Sequence, residues 1–336
     1  MPFPIIMRCT AVVLLLVLGF AGSPSRLRAD AYDPLVADTN SLAAPLDLPV
    51  HDAARKRDLP VLVYLPAATN PAPVVIFSHG LGGTRFVSPF LGRHWAARGY
   101  VAVYVQHPGS DDSVWKDIPA KDRYRSMKQA ASLKNFLLRV KDVSVVVDQL
   151  EHWNTNASSP LAGRLDLKKL GMSGHSFGAA TTEALCGETL PIKGRDLTDA
   201  RFTAALVLSP SQPVTGHGAR AFGNVTIPWL LMTGTKDIAP ISFADVASRR
   251  AVFKYLQGAP KYELVLDRAE HSVFTDIALP GEREPRNPNH HRVILALSTA
   301  FWDAYLKGDP AALKWLQGAG PRAVMESADQ WQWQAR

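Results

Sequence analysis

Ser176 sits at the centre of Gly174-His175-Ser176-Phe177-Gly178, with Leu170 and Met172 before it and Ala179-Ala180 after it. A serine framed this way between a strand and a helix has the pattern of a nucleophile elbow. The turn is tight enough to exclude side chains at the flanking glycines. The hydroxyl is lifted out at a helix N-terminus, where backbone N–H groups favour developing negative charge. A serine hydroxyl is a weak nucleophile at neutral pH. It needs a base within hydrogen-bond reach and a third group that orients the base.

In a doubly wound sheet such partners belong at the carboxyl ends of strands, in the chain order serine, acid, histidine. Asp237 follows an apolar run and the turn Gly234-Thr235-Lys236, which makes it the first candidate for the acid, with Asp267 in reserve. Asp245 falls in a helical pattern and Asp276 crowds the histidine loop. His271 directly follows the final strand-like run and is the candidate base. Attack on a carbonyl creates an oxyanion, which needs fixed N–H donors. The backbone N–H of Phe177 is one. The second is expected from His79-Gly80-Leu81-Gly82-Gly83, where Leu81 N–H is the choice and the glycines allow close approach. That loop lacks the third glycine and the later acid of a dinucleotide fingerprint. His79 and His175 are expected to make local hydrogen bonds. Adjacent His290 and His291 point apart on a helix, which is poor metal geometry. No cofactor and no metal are expected.

The elements that must position these residues alternate along the chain. Strand-like runs are expected at 61–65, 73–78, 100–105, 202–208, 228–233 and 262–266, besides the one entering the elbow. Helical patterns fill 88–98, 126–153, 243–256 and 290–306, and Val140, Val143, Val147 and Leu150 share one face. Residues 107–121 and the glycine-rich 210–224 read as loops that could line a site. Strand, helix, strand in succession implies right-handed parallel crossovers. A single α/β domain with a mostly parallel, doubly wound sheet flanked by helices is expected over 32–317, with 318–336 as a C-terminal tail.

The first stretch stands apart. Arg8 precedes an apolar run at 10–20, and small residues follow at Ala21, Gly22, Ser23, Ala29 and Ala31. This reads as a secretory signal peptide over 1–31, cleaved after Ser23 or after Ala31, and too short for a comfortable membrane span. An exported, periplasmic or extracellular protein is expected, with no stable membrane span after cleavage. With Cys9 in the leader, Cys186 remains alone and reads as a buried small apolar residue. A 47% hydrophobic content excludes a mainly disordered chain. The net charge is +7, but no dense Lys/Arg run with interleaved aromatics occurs, so nucleic acid is not an expected partner.

Taken together, Phe77-Ser78-His79-Gly80-Leu81-Gly82-Gly83, the elbow, Asp237 and His271 resemble the α/β-hydrolase superfamily. The similarity runs over about residues 46–307. Within it the chain resembles the platelet-activating factor acetylhydrolases and the bacterial predicted dienelactone hydrolases, and His107-Pro108-Gly109-Ser110-Asp111 shares in this. The resemblance implies an α/β-hydrolase fold and a serine esterase acting through an acyl-enzyme with a Ser176–Asp237–His271 triad. Two departures stand out. Eukaryotic acetylhydrolases carry the acid after the strand that follows the elbow helix, where this chain reads Val207-Leu208-Ser209-Pro210. Instead Asp237-Ile238-Ala239-Pro240 is similar to the acid loop of bacterial cutinases. True dienelactone hydrolases use a cysteine where Ser176 stands. A small-molecule or lipid ester is the expected substrate and a monomer the expected state. A cutinase-like polyester hydrolase, a phospholipase-type lipid esterase and a non-enzymatic binding module are the alternatives.

Overall fold

Buried runs of β-branched and aromatic residues form the central strands, as their preference for a pleated, packed surface dictates. The strands are β1 (Leu46–Leu48), the two-residue β2 (His51–Asp52) and β3 (Arg57–Asp58), β4 (Val61–Tyr64), β5 (Ala72–Ser78), β6 (Val101–Val105), β7 (Leu165–His175), β8 (Phe202–Leu208), β9 (Trp229–Lys236), β10 (Lys261–Glu270) and β11 (Gln330–Gln334). The computed structural model describes residues 1–4, 32–192, 196–212, 217–241 and 244–335. The expected leader, with its apolar run and both cleavage points, lies essentially outside the described residues, and so does part of the 210–224 loop. No helix among the described residues is long and apolar enough to cross a membrane.

Nine strands join in the order β1-β4-β6-β5-β7-β8-β9-β10-β11, and β2 pairs separately with β3. From β6 through β10 every neighbouring pair is parallel. Antiparallel pairs close both edges, β1 with β4 and β4 with β6 on one side, β10 with β11 on the other.

Helices cover both faces. They are α1 (Pro89–Ala97), α2 (Ala120–Ala130), α3 (Leu133–Thr155), α4 (Phe177–Leu185), α5 (Gly218–Phe222), α6 (Val246–Tyr255), α7 (Pro288–Tyr305), α8 (Pro310–Gln317) and α9 (Gly320–Val324). The two-residue period of the strands divides the core. Val74 and Ile76 face Val143, Val147 and Leu150 of α3, whereas Val75 and Phe77 face Leu91 and Trp95 of α1 and Phe301 of α7.

Two sequence expectations change. The single helix expected over 126–153 is two, because Ser132 adopts an extended backbone and its hydroxyl accepts the Asn135 N–H to cap α3. Asn135 Nδ2 also donates to Ala130 O at 2.8 Å, which satisfies the end of α2. Such capping ends one helix and starts the next without disturbing the apolar period that hides the break. The expected tail, 318–336, contains α9 and β11. Gln330-Trp331-Gln332-Trp333-Gln334 pairs with β10, and Trp331 and Trp333 stack on Tyr262 at 5.7 and 6.5 Å. The strand at 262–266 is therefore not the last in the sheet.

Candidate active site

The four sequence-selected segments meet at the carboxyl ends of the parallel strands. Ser176 directly follows β7, Asp237 follows β9, His271 follows β10, and the His79–Gly83 segment follows β5. Carboxyl ends of parallel strands are where loops converge in such a sheet.

Ser176 has φ 58 and ψ −113, a strained backbone for a residue with a side chain. The packing around it enforces the turn. A Cβ on Gly174 would come within 2.3 Å of Gly178 O, and one on Gly178 within 1.9 Å of Ser78 O. Only glycine fits at either position. The strand, the helix and the neighbouring strand therefore close on the serine from three sides.

Ser176 Oγ–H donates to His271 Nε2 at 2.8 Å. His271 Nδ1–H donates to Asp237 Oδ1 at 2.6 Å, and the acceptor-only carboxylate fixes this tautomer. The second carboxylate oxygen, Oδ2, accepts from Ser209 Oγ at 2.7 Å and Thr233 Oγ1 at 2.8 Å. Burial alone would raise the Asp237 carboxyl. The hydrogen bond and charge of His271, the Arg249 guanidinium and the Ser209 hydroxyl outweigh it and hold the group well below the usual carboxylate range. Ser209 thus occupies the position after β8 that lacked an acid, and it donates to the acid supplied by β9.

Sequence reasoning did not single out Arg249. It is buried in α6, with Nε 3.1 Å from Asp237 Oδ1 and Nη2 3.3 Å from His271 Nδ1. Nη1 donates to Ser209 O at 2.8 Å and Pro210 O at 3.1 Å. An arginine in a helical pattern carries no sequence signal for such a position. The reserve acid, Asp267, lies elsewhere: it accepts from Thr235 Oγ1 at 3.4 Å and makes no contact with His271 among the described hydrogen bonds.

Three further histidines, His175, His79 and His291, hold backbone. His175 Nε2–H donates to His271 O at 2.9 Å, which pins the His271 loop, and burial pulls the His175 pKa down to about 3. His79 Nδ1–H donates to Gly80 O at 2.7 Å, and its Nε2 accepts from His107 N at 3.2 Å. His291 Nε2–H donates to Val273 O at 3.0 Å, while its ring stacks on Phe90. Among the described residues, no group of three His, Cys, Asp or Glu is placed to hold a metal ion.

Gly80 packs against Ser176, since a Cβ there would lie 3.4 Å from Ser176 Cβ. Leu81 and Phe177 both line the cleft at Ser176. Among the described hydrogen bonds, neither Leu81 N–H nor Phe177 N–H has a partner within the protein. Free donors beside a nucleophile are what an oxyanion would need. Gly82, at φ 74, is pressed by Met127 and Trp115, and Trp115 Nε1–H donates to Gly82 O at 2.7 Å.

Two cavities flank Ser176. One, of about 450 Å³, lies toward Phe86, Val87, Pro89 and Ile277. The other, of about 280 Å³, lies toward Met127, Ala131, Ala180, Pro240 and Ile241. Both also include His271 and Leu279, so Ser176 and His271 stand between two mainly apolar spaces.

Comparison with known proteins agrees with this architecture. The family described as platelet-activating factor acetylhydrolase, isoform II, matches residues 64–144. Cutinase est1 of Thermobifida alba is 25% identical over 181 residues, 54% of this chain and 48% of the relative. The platelet-activating factor acetylhydrolase of Cavia porcellus is 26% identical over 163 residues, 41% of this chain and 35% of the relative. Cutinase est2 of Thermobifida alba is 25% identical over 211 residues, 62% of this chain and 56% of the relative. The chain thus spans from about a third to just over half of the length of these relatives. With the sheet order, these matches relate the chain to the α/β-hydrolase superfamily, and its fold is the α/β-hydrolase fold.

Proposed function

We propose that the chain hydrolyses carboxylic esters through an acyl-enzyme on Ser176. The observation that carries this reading is the unbroken hydrogen-bonded path from Ser176 through His271 to Asp237 at the wall of an open cleft. Ser176 Oγ attacks the ester carbonyl carbon while His271 Nε2 takes its proton. The carbonyl oxygen becomes an oxyanion facing the N–H groups of Leu81 and Phe177. Asp237 orients the imidazole and stabilises the imidazolium. Collapse breaks the bond to the alcohol oxygen, which receives the proton from His271 Nε2. Water then gives a proton to His271 and attacks the acyl carbon, and the carboxylic acid leaves as Ser176 regains its proton.

The apolar cavities on both sides of Ser176 favour an ester with hydrocarbon on either side of the carbonyl. Acetylhydrolase-like and cutinase-like or lipid substrates both lie within that class. The leader-like N-terminus supports an exported enzyme, and no step of the reaction calls for a cofactor.

Ser176→Ala tests the reading. Turnover of a short-chain p-nitrophenyl ester should fall by about 10,000-fold or more, with the thermal midpoint retained. Undiminished turnover in that variant overturns it. A series of acyl-chain lengths on the wild type then orders the substrate classes.

A further inference from the structure

Arg139 of α3 is 1% exposed, and among the described residues no carboxylate lies within salt-bridge distance of its guanidinium. A buried cation without a direct counter-charge is an expensive way to stabilise a core. Burial lowers its pKa to about 9, against the opposing charges of Asp142 and Asp111, so it remains protonated at neutral pH.

Its donors reach the separate segments that frame the cleft. Nη2 donates to Ser78 Oγ at 2.9 Å and also to His79 O, at the start of the glycine loop. Nη1 donates to Ser110 Oγ at 2.9 Å, and Ser110 O accepts Gly82 N–H at 2.8 Å, which fixes the far side of that loop. Nε donates to Thr181 Oγ1 at 3.1 Å on α4, and the guanidinium carbon stands 4.8 Å from the centre of the Phe177 ring. Leu81 and Phe177 belong to segments nearly a hundred residues apart, so local chain geometry does not set the spacing of their N–H groups. A planar, rigid fork bonded to both segments can set it, whereas a flexible lysine cannot.

We propose that Arg139 is a positioning residue for the oxyanion hole: its guanidinium holds the glycine loop and the elbow helix at the separation that aims Leu81 N–H and Phe177 N–H at one oxygen. This rests on the esterase reading of Ser176. Donors held at the right separation act in the transition state more than on the bound substrate. Loss of Arg139 should therefore lower kcat and leave KM nearly unchanged.

The test uses the full chain with Arg139→Gln and Arg139→Lys, normalised to folded protein. Arg139→Gln should lower kcat on a p-nitrophenyl ester by about 100-fold, with KM within about threefold of wild type. Affinity for an alkyl boronic acid, which forms a tetrahedral adduct on serine, should weaken by a similar factor. Arg139→Lys keeps the charge and loses the fork, and it should be nearly as impaired. Values of kcat within about threefold of wild type in Arg139→Gln, or full rescue by lysine, overturn the proposal. Should neither variant fold, Ser110→Ala removes one arm of the fork. It should then lower kcat by about 3- to 10-fold at constant KM, and an unchanged kcat there overturns the proposal equally. Failure of the esterase reading itself registers separately, as turnover that survives Ser176→Ala.

Discussion

Among the described residues there are two serine–histidine–aspartate relays, and only one of them faces a cleft. In the first, Ser176, His271 and Asp237 are linked at 2.8 and 2.6 Å. In the second, Ser78 Oγ–H donates to His107 Nε2 at 3.0 Å, and His107 Nδ1–H donates to Asp142 Oδ2 at 3.2 Å. The residue types and the order of hydrogen bonds are the same. The surroundings differ in every respect that matters to nucleophilic attack. Ser78, His107 and Asp142 are each 0% exposed, whereas Ser176 opens on both flanking cavities. Ser78 lies within β5, and its oxygen already accepts from Arg139. Ser176 stands on a strained elbow beside two unbonded N–H groups. Asp142 is shared with Arg55 at 2.8 Å and Arg57 at 3.0 Å, so its charge serves three partners. Residue types make a relay; access and free donors make a nucleophile.

Exchanging one acid in each relay should separate chemistry from stability. Asp237→Asn should lower turnover by about 10,000-fold, because an amide no longer enforces the required imidazole tautomer. Asp142→Asn should instead leave turnover per folded molecule within about tenfold and cost about 3–5 kcal/mol of stability, since it strips a buried partner from two arginines. Steady-state kinetics and chemical denaturation of the two variants decide this. The opposite pattern would mean the enclosed relay is the one that acts.

A smaller effect is expected from pH. Burial lowers the His107 pKa to about 4, with Arg139 adding to the shift and Asp142 opposing it. An unfolded imidazole titrates near 6.5. Between about pH 6.5 and 4 the unfolded chain therefore binds a proton that folded His107 refuses, and stability falls as pH falls through that window. The loss from this residue should reach about 3 kcal/mol. Denaturation midpoints from pH 7 to 4.5 measure it, and His107→Gln should flatten the slope. An equal slope in wild type and variant would show that His107 carries none of it.

Much of the open relay was legible in the sequence because each member follows its own strand. The glycines at 174 and 178 announce a turn that no other residue permits. Asp237 and His271 stand directly after apolar runs, in an order that a doubly wound sheet makes meaningful. The enclosed relay was not legible. Ser78, His107 and Asp142 come from β5, the loop after β6 and α3, and only the folded sheet brings them together. Arg139 and Arg249 were hidden for a related reason, since a charge within a helical pattern ordinarily marks the solvent face. β11 was different, because the alternation Gln330-Trp331-Gln332-Trp333-Gln334 carries a strand period that could have been read. The α2–α3 break was likewise signalled by Ser132, but the apolar period across it dominated.

The most direct test of the central claim is to treat the folded wild-type chain with a fluorophosphonate and map the adduct by peptide mass spectrometry. Attack at the open relay alone predicts a single stoichiometric adduct on the peptide containing Ser176, with loss of turnover in step and no modification of Ser78. An adduct on Ser78, or full labelling of Ser176 with turnover intact, would contradict the account.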